Sequence, residues 1–376
     1  MMSKTETLLQ ELISIPSVNP AFLQQGDPHA GEKSVGEFLA KAAARAGLDV
    51  KFEEVLPGRS NLLARLAPRG KVRQRILLAP HLDTVNAAET QFKPRKTKGR
   101  IVGRGACDAK GSVAVMLDSV CDLATGGRRP AQTEIVFAGL VDEEHAQAGA
   151  RALAASGLKA ELAIVGEPTC EQIVTAHKGS LWLELKTSGK AAHGARPELG
   201  VNAVHQMAKV VDVLETEYAA RLRTRRHKLL GFATVSVGII NGGTQPNIVP
   251  DHCTISIDRR TLPGETQSLV RHEIQSILRK CNLRARVTNG KLAPCLPLET
   301  DPRLPLAAQF LRCAGQERPM GVHYFCDASV LAHGGIPSIV FGPGDIAHAH
   351  TADEWISLKS LERAKALLLT FLQSLA

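Results

Sequence analysis

At 376 residues, 44% of them hydrophobic and 22% charged, the chain is long enough to bury a large core and exceeds the usual single-domain size, which predicts two domains. A net charge of +9 would suit an acidic partner, but aromatic residues make up only 4%, and the one basic run, "RLRTRRHK" at 221–228, continues a helical pattern; a solvated helix end explains it, and nucleic acid is not expected as a partner. Eight cysteines without a CxxC pair, an N-terminus lacking the apolar core of a signal peptide, and no stretch of membrane-spanning length predict a soluble cytoplasmic protein with reduced thiols and no membrane contact.

In chain order, the periodicity predicts helices over 3–13 and 34–46, then strands over 49–55 and 60–67 joined by the turn "PGRS". A strand over 75–80 leads into "HLDTV". The glycine-broken loop "GRGACDAKG" gives way near Gly111 to an amphipathic helix stopped by Gly126 and Gly127. The strand "EIVFAGLV", a helix over 148–156 and the strand "LAIVGEP" follow. Apolar strands alternating with helices indicate an α/β fold with a mostly parallel sheet covered on both faces. From residue 178 the pattern becomes βαββαβ: "SLWLELKTSG", a helix over 201–222, "TVSVGIING", "CTISIDRR", a helix over 265–280 and "RARVTN". That order is ferredoxin-like, an α+β unit inserted into the first domain. The alternation then resumes with "IPSIVFGPG" and a closing helix over 358–375. The predicted domains are a catalytic segment 1–177, an insertion 178–290 and a second catalytic segment 291–376.

The strand ends carry the chemistry. His81 and Asp83, two residues apart, project to one face beyond the strand at 75–80, where open α/β sheets bind ligands. Asp108 lies in the glycine-rich loop, Glu143 and Glu144 follow "IVFAGLVD", Glu167 follows "LAIVG", and His348 and His350 follow "IVFGPGDIA". So many carboxylates on one rim would repel one another and raise their own pKa values unless cations held them. Imidazole and carboxylate ligands without thiolate suit a catalytic zinc or a neighbouring first-row ion, and hydrolysis needs one further acid as a base. "GRGACDAKG" is neither a GxGxxG nor a phosphate loop, and the chain contains no GxSxG and no HExxH. Cys107 reads as a small core filler rather than a nucleophile.

"HLDTV", "GRGACDAKG", "DEE", "GEPT", "AHGARPELGVNAV", "PNIVPD", "DRRTLPGE" and "AHTADEW" together resemble the ordered motif set of the acetylornithine deacetylase, succinyl-diaminopimelate desuccinylase, aminoacylase and glutamate carboxypeptidase family, over residues 5–375. The resemblance implies a zinc-exopeptidase-like mixed, mostly parallel sheet flanked by helices, with the ferredoxin-like insertion as a lid and dimerisation domain. It implies two Zn2+ ions, with Co2+ or Mn2+ as alternatives: His81 and Glu167 on one, Glu144 and His350 on the other, Asp108 shared by both. His348 is a rival to His350, but the spacing to Asp353 and Glu354 favours His350.

By the same resemblance Asp83 orients His81, Glu143 is the general base, and a cis peptide joins Asp108 to Ala109. His193 reaches from the lid to the scissile carbonyl, from the opposite subunit in dimeric members. Asn247 and Arg260 hold the substrate, Gly342 and Gly344 let the backbone approach its carboxylate, and Arg259 is structural. The implied reaction is hydrolysis of an N-acyl amide or peptide bond next to a free carboxylate in a small N-acyl amino acid or short peptide, most like an acetylornithine deacetylase or desuccinylase. A dipeptidase, a carboxypeptidase and an N-carbamoyl amino-acid hydrolase are alternatives within the family, and a non-catalytic metal-binding assembly module is one outside its enzymes.

Overall fold

The computed structural model describes residues 2–290 and 293–375. The predicted 290/291 boundary adjoins residues 291 and 292, which with residues 1 and 376 lie outside the described ones. The chain divides into two compact units: Met1–Thr175 with Thr300–Met320 and Cys326–Ala376, and Ala176–Glu299 with Gly321–Phe325.

The first unit opens with helix α1 (Lys4–Ser14), capped by Ser3, whose hydroxyl accepts the Glu6 N–H at 3.2 Å, and with Leu9, Leu12 and Ile13 buried at helical spacing. Helix α2 (Lys33–Arg45) buries Val35, Leu39 and Ala43 in the same way. Strands β1 (Asp49–Leu56) and β2 (Arg59–Leu66) form the expected hairpin. Next come β3 (Gln74–Pro80), the short hairpin β4 (Arg95–Thr97) and β5 (Arg100–Val102), helix α3 (Lys110–Thr125), strand β6 (Thr133–Gly139), helix α4 (Ala148–Ala155) and strand β7 (Leu162–Gly166).

The sheet runs β1-β2-β6-β3-β7, then strand Ser338–Val340 and strand Val174–His177. β6, β3, β7 and Ser338–Val340 are parallel, while β1, β2 and Val174–His177 pair antiparallel at the margins. Every residue of β6 and β7 is buried, as expected of strands covered on both faces. The four parallel strands all point their C-terminal ends to one edge of the sheet. α3 is almost wholly buried, and the Lys110 ammonium at its start donates to the carbonyls of Leu12 (2.8 Å) and Ile15 (2.7 Å), tying it to the end of α1.

In the second unit, strands Thr234–Gly242, His252–Thr261, Gly179–Ser188 and Arg286–Asn289 form an antiparallel sheet in that spatial order. With helices Ala203–Val213 and Gln267–Lys280 this is the ferredoxin-like arrangement. Leu181, Leu183 and Leu185 face its core, while Trp182 is 47% exposed. The helix expected over 201–222 instead contains a π-helical turn at Leu214–Tyr218, whose Leu214 and Tyr218 are both fully buried. Arg259 is buried and its guanidinium bonds the Tyr218 hydroxyl and, at 2.8 Å, Glu265. All eight cysteines are free, and no helix among the described residues is long and apolar enough to cross a membrane.

Candidate metal centre

The parallel strands place most of the predicted residues by ending where they do. β3 ends at Pro80 and His81 follows; β7 ends at Gly166 and Glu167 follows. Beyond β6 the chain makes a turn bounded by Asp142 (φ 70°) and Gln147 (φ 57°), both left-handed, with Glu143 and Glu144 between them. Strand Ser338–Val340 leads to His350, itself left-handed at φ 59°. Such backbone costs about 1–3 kcal/mol per residue and clusters where side chains must be aimed. Asp108 precedes α3, and the Asp108–Ala109 peptide is cis.

Ligand atoms of His81, Asp108 and Glu167 lie within 4.8 Å of one another, and so do those of Asp108, Glu144 and His350. Asp108 belongs to both groups through different oxygens: Oδ1 is 3.0 Å from His81 Nε2, and Oδ2 is 3.2 Å from His350 Nε2. His350 Nε2 is also 3.1 Å from Glu144 Oε1, and His81 Nε2 is 3.9 Å from Glu167 Oε1. His348 belongs to neither group; its ring lies 4.0 Å from that of Trp355.

The hydrogen-bond inventory shows what these groups fit. The neighbours of His81 Nδ1 are acceptors, the Asp83 main-chain oxygen at 3.0 Å and its carboxylate at 3.5 Å, so Nδ1 carries the proton. The lone pair on Nε2 of a neutral ring then faces carboxylate oxygens. Glu167 Oε1 is buried and has no hydrogen-bond partner among the described residues. Lone pairs converging in a buried site call for a cation between them, and imidazole with carboxylate donors fits a first-row divalent ion.

Electrostatics of the metal-free chain agree. Burial opposes charge on His81, but its hydrogen bonds to Asp108 and Asp83 and the charge of Glu167 outweigh that and hold it well above its ordinary value. Hydrogen bonds to Asp108 and Glu144 raise His350 to about 10. Burial, followed by the charge of Glu167, pushes Glu143 well up; burial likewise raises Glu167 well above the carboxylate range, and raises Glu144. Burial would also raise Asp108, but bonds to His350 and His81 hold it well below. Burial first, then the charge of Asp108, drives the Cys107 thiol far up, which leaves it unsuited to act as a nucleophile.

Groups whose folded pKa is raised hold protons that the unfolded chain releases, so their stabilisation is present below the unfolded pKa and is lost as pH climbs through the folded one. For His350 that window runs from 6.5 to about 10. Through these groups the metal-free protein is therefore expected to melt at a falling temperature between pH 6.5 and about pH 10, against an opposite contribution above about pH 7 from Lys110, which burial lowers, and added divalent ion, which binds the deprotonated ligands, to reverse the trend. Differential scanning calorimetry with and without chelator checks this; a metal-free melting temperature that rises across the window contradicts it.

Asp83 meets the His81 imidazole as its spacing suggested, and serves a second purpose as well. Its carboxylate accepts the main-chain N–H groups of Glu143 (3.0 Å) and Glu144 (3.1 Å), and Asn19 Nδ2 at 2.8 Å. Asn19 also bonds Asp142 at 3.0 Å, so two buried residues clamp the turn that presents both glutamates. At Gly342 a Cβ would meet the Glu167 main-chain oxygen at 2.5 Å, and at Gly344, with φ +87°, it would meet Cys107 Sγ at 2.7 Å; packing within the protein by itself requires glycine at both.

In the second unit, His193 pairs with Ile248 across a short ladder, and the Gly194 N–H donates to the Asn247 carbonyl at 2.7 Å, so His193 and Asn247 are neighbours. Arg260 Nε bonds Asp258 at 2.9 Å, and its guanidinium lies 5.8 Å from the centre of the Phe325 ring.

Asp327 and Glu354 are buried acids to which the sequence assigned no chemical role. Asp327 is 1% exposed, and burial raises it to about 7. Glu354 is 1% exposed and lies among the main-chain donors of the Asp108 loop. An acid opening the apolar helix segment "DASVL" was the available signal for the first; the second stood in the quoted "AHTADEW" without a role.

A mostly parallel sheet whose loops bring together two triads of imidazole and carboxylate donors sharing one aspartate fits a metal-dependent hydrolase. A profile of the family described as Peptidase family M20/M25/M40 matches residues 77–374, and the chain belongs to that metal-dependent family of hydrolytic enzymes. It is 30% identical to acetylornithine deacetylase of Proteus mirabilis (strain HI4320) over 96% of this chain and 94% of that protein, and 31% identical to acetylornithine deacetylase of Myxococcus xanthus over 82% of each. Its fold is similar to that of aminopeptidase PepT from Bacillus cereus ATCC 10987, with a TM-score of 0.80, 23% identity and coverage of 98% and 97% of the two chains. An M20 family metallo-carboxypeptidase from Sulfolobus solfataricus gives a TM-score of 0.76 at 18% identity over 99% of both chains. The hydrolytic family and the deacetylase names of these relatives support an enzyme over the assembly-module alternative.

Proposed function

We propose that the chain hydrolyses the amide bond of an N-acyl amino acid or short peptide beside a free carboxylate, with two Zn2+ ions held by His81 and Glu167 on one side, Glu144 and His350 on the other, and Asp108 between them. The observation that carries this reading is the pair of triads meeting at Asp108. Bound divalent ions would polarise the scissile carbonyl and make water a nucleophile at neutral pH. Glu143 takes a proton from the attacking water and returns it to the amine nitrogen as the C–N bond breaks and the new C–O bond remains. Asp83 and Asn19 hold the turn that carries Glu143. We assign His193 the role of donor to the carbonyl oxygen as charge develops there, and Arg260 and Asn247 that of receiving the substrate carboxylate, while Gly342 and Gly344 let the backbone approach substrate.

The acetylornithine deacetylase names of the relatives favour an N-acetyl substrate over a peptide. We also propose that the second unit works as a lid and pairs two copies of the chain: its edge strand Thr234–Gly242 leaves Ile239 and Ile240 each 55% exposed, apolar surface on an edge unpaired among the described residues. Free thiols throughout support a cytoplasmic setting. The deciding experiment is metal analysis of the purified protein, followed by a panel of N-acetyl, N-succinyl and N-carbamoyl amino acids and dipeptides. Turnover of N-acetyl amino acids that chelator abolishes and divalent ion restores is the expected result; a metal-replete protein inert toward the whole panel refutes the proposal.

A further inference from the structure

The segment that carries Asp108 has no regular element of its own between β5 and α3. A single side chain organises it. Glu354 Oε1 accepts the main-chain N–H groups of Cys107 (2.8 Å) and Asp108 (2.9 Å), and Oε2 accepts the Gly105 N–H (2.9 Å) and Arg104 Nη1 (2.7 Å). Arg104 Nη2 reaches the Thr351 carbonyl at 3.3 Å, and the Gly103 N–H reaches the Glu354 carbonyl at 3.0 Å. Three convergent main-chain donors and a guanidinium thus surround one buried carboxylate, an anion nest built from the protein's own chain.

A carboxylate that merely stabilised the loop could bond anywhere along it. Here Asp108's own N–H is one of the four donors, so the residue whose two oxygens serve both triads is itself held. Glu354 also stands four residues after His350, and Arg104 is bonded to Thr351, the residue next to His350. Both loops therefore meet on Glu354, and between them they carry the Asp108–His350 contact of 3.2 Å. The other ligands are held differently: Glu144 hangs by its N–H from Asp83, while His81 and Glu167 directly follow strands.

We infer that Glu354 is a positioning residue for the metal centre, fixing Asp108 against His350 and so setting the affinity of the site formed by Asp108, Glu144 and His350. The inference rests on the reading of those residues as metal ligands. Glu354→Gln is nearly isosteric, but its amide group presents N–H donors to donors that had an acceptor. The metal-free variant, followed by calorimetric titration with Zn2+ and by the visible absorption of added Co2+, is expected to bind one ion about 10–100-fold more weakly than the unmodified protein and to show an altered Co2+ spectrum. Glu354→Asp keeps the charge and all four donors' partner while drawing the carboxylate back by one methylene, and is expected to fall between the two; it also serves if Glu354→Gln does not fold.

Unchanged affinities for both ions and an unchanged Co2+ spectrum in whichever variant folds overturn the inference. The reading beneath it fails separately: an unmodified protein that takes up no divalent ion, or takes it up equally after Asp108→Ala, has no such centre to position.

Discussion

Glu143→Ala is expected to lower kcat by about 10²–10⁴-fold while the protein keeps its divalent ions. The expectation follows from how the two adjacent glutamates are divided. Glu144 Oε1 lies 3.1 Å from His350 Nε2 and belongs to a triad; Glu143 belongs to neither triad, and it is the main chain of Glu143 that Asp83 bonds. A half-buried carboxylate held by its backbone and raised by burial above its ordinary value is suited to accept a proton from water and hand it on. Its removal takes away proton transfer and leaves all five candidate ligands in place. Turnover measured alongside metal content makes the separation: near-normal kcat in a metal-replete Glu143→Ala protein would reject the base assignment, and loss of metal together with activity would move Glu143 into the ligand set. Glu143→Gln, which preserves shape, should be as inactive as the alanine variant if proton transfer is the missing element.

How far the sequence could be read depended on whether a feature was local. β6 and β7 are continuous apolar runs, and Leu181, Leu183 and Leu185 alternate with exposed neighbours, so both sheets left periodic traces. β4, β5 and Trp355–Ser357 pair into a sheet of three-residue strands, too short to carry a period. The excursion of Gly321–Phe325 into the second unit likewise has no local pattern. Within the site, acids and imidazoles at strand ends could be found because strand ends could be found. Their supports could not. Asn19 bonds Asp83 across 64 residues, and Glu354 bonds Asp108 across 246, contacts that only the folded chain creates. Asp83 shows the limit most clearly: its spacing of two from His81 pointed to the imidazole, which its carboxylate meets at 3.5 Å, but not to the turn beyond β6, 60 and 61 residues away, from which the same carboxylate accepts.

Asp108→Ala is expected to cost the protein both ions, the other large effect, because it withdraws an oxygen from each triad at once. What remains is His81 with Glu167 on one side and Glu144 with His350 on the other, two protein donors apiece where three had converged. Removal of Glu167 or Glu144 instead subtracts from one triad only. Metal content should therefore fall in steps: about two ions per chain in the unmodified protein, about one in Glu167→Ala or Glu144→Ala, and fewer still in Asp108→Ala. A metal ion supplies several kcal/mol of transition-state stabilisation, and about 1.4 kcal/mol is a factor of ten, so kcat/KM in Asp108→Ala should fall by at least about 10³-fold. Stability runs with affinity here: in the metal-free chain Asp108 is held well below the carboxylate range by His350 and His81, an attraction the alanine variant lacks. Mass spectrometric metal counting on the four proteins decides the matter. If Asp108→Ala holds as many ions as the unmodified protein, or loses no more than Glu167→Ala does, the two triads do not share a ligand.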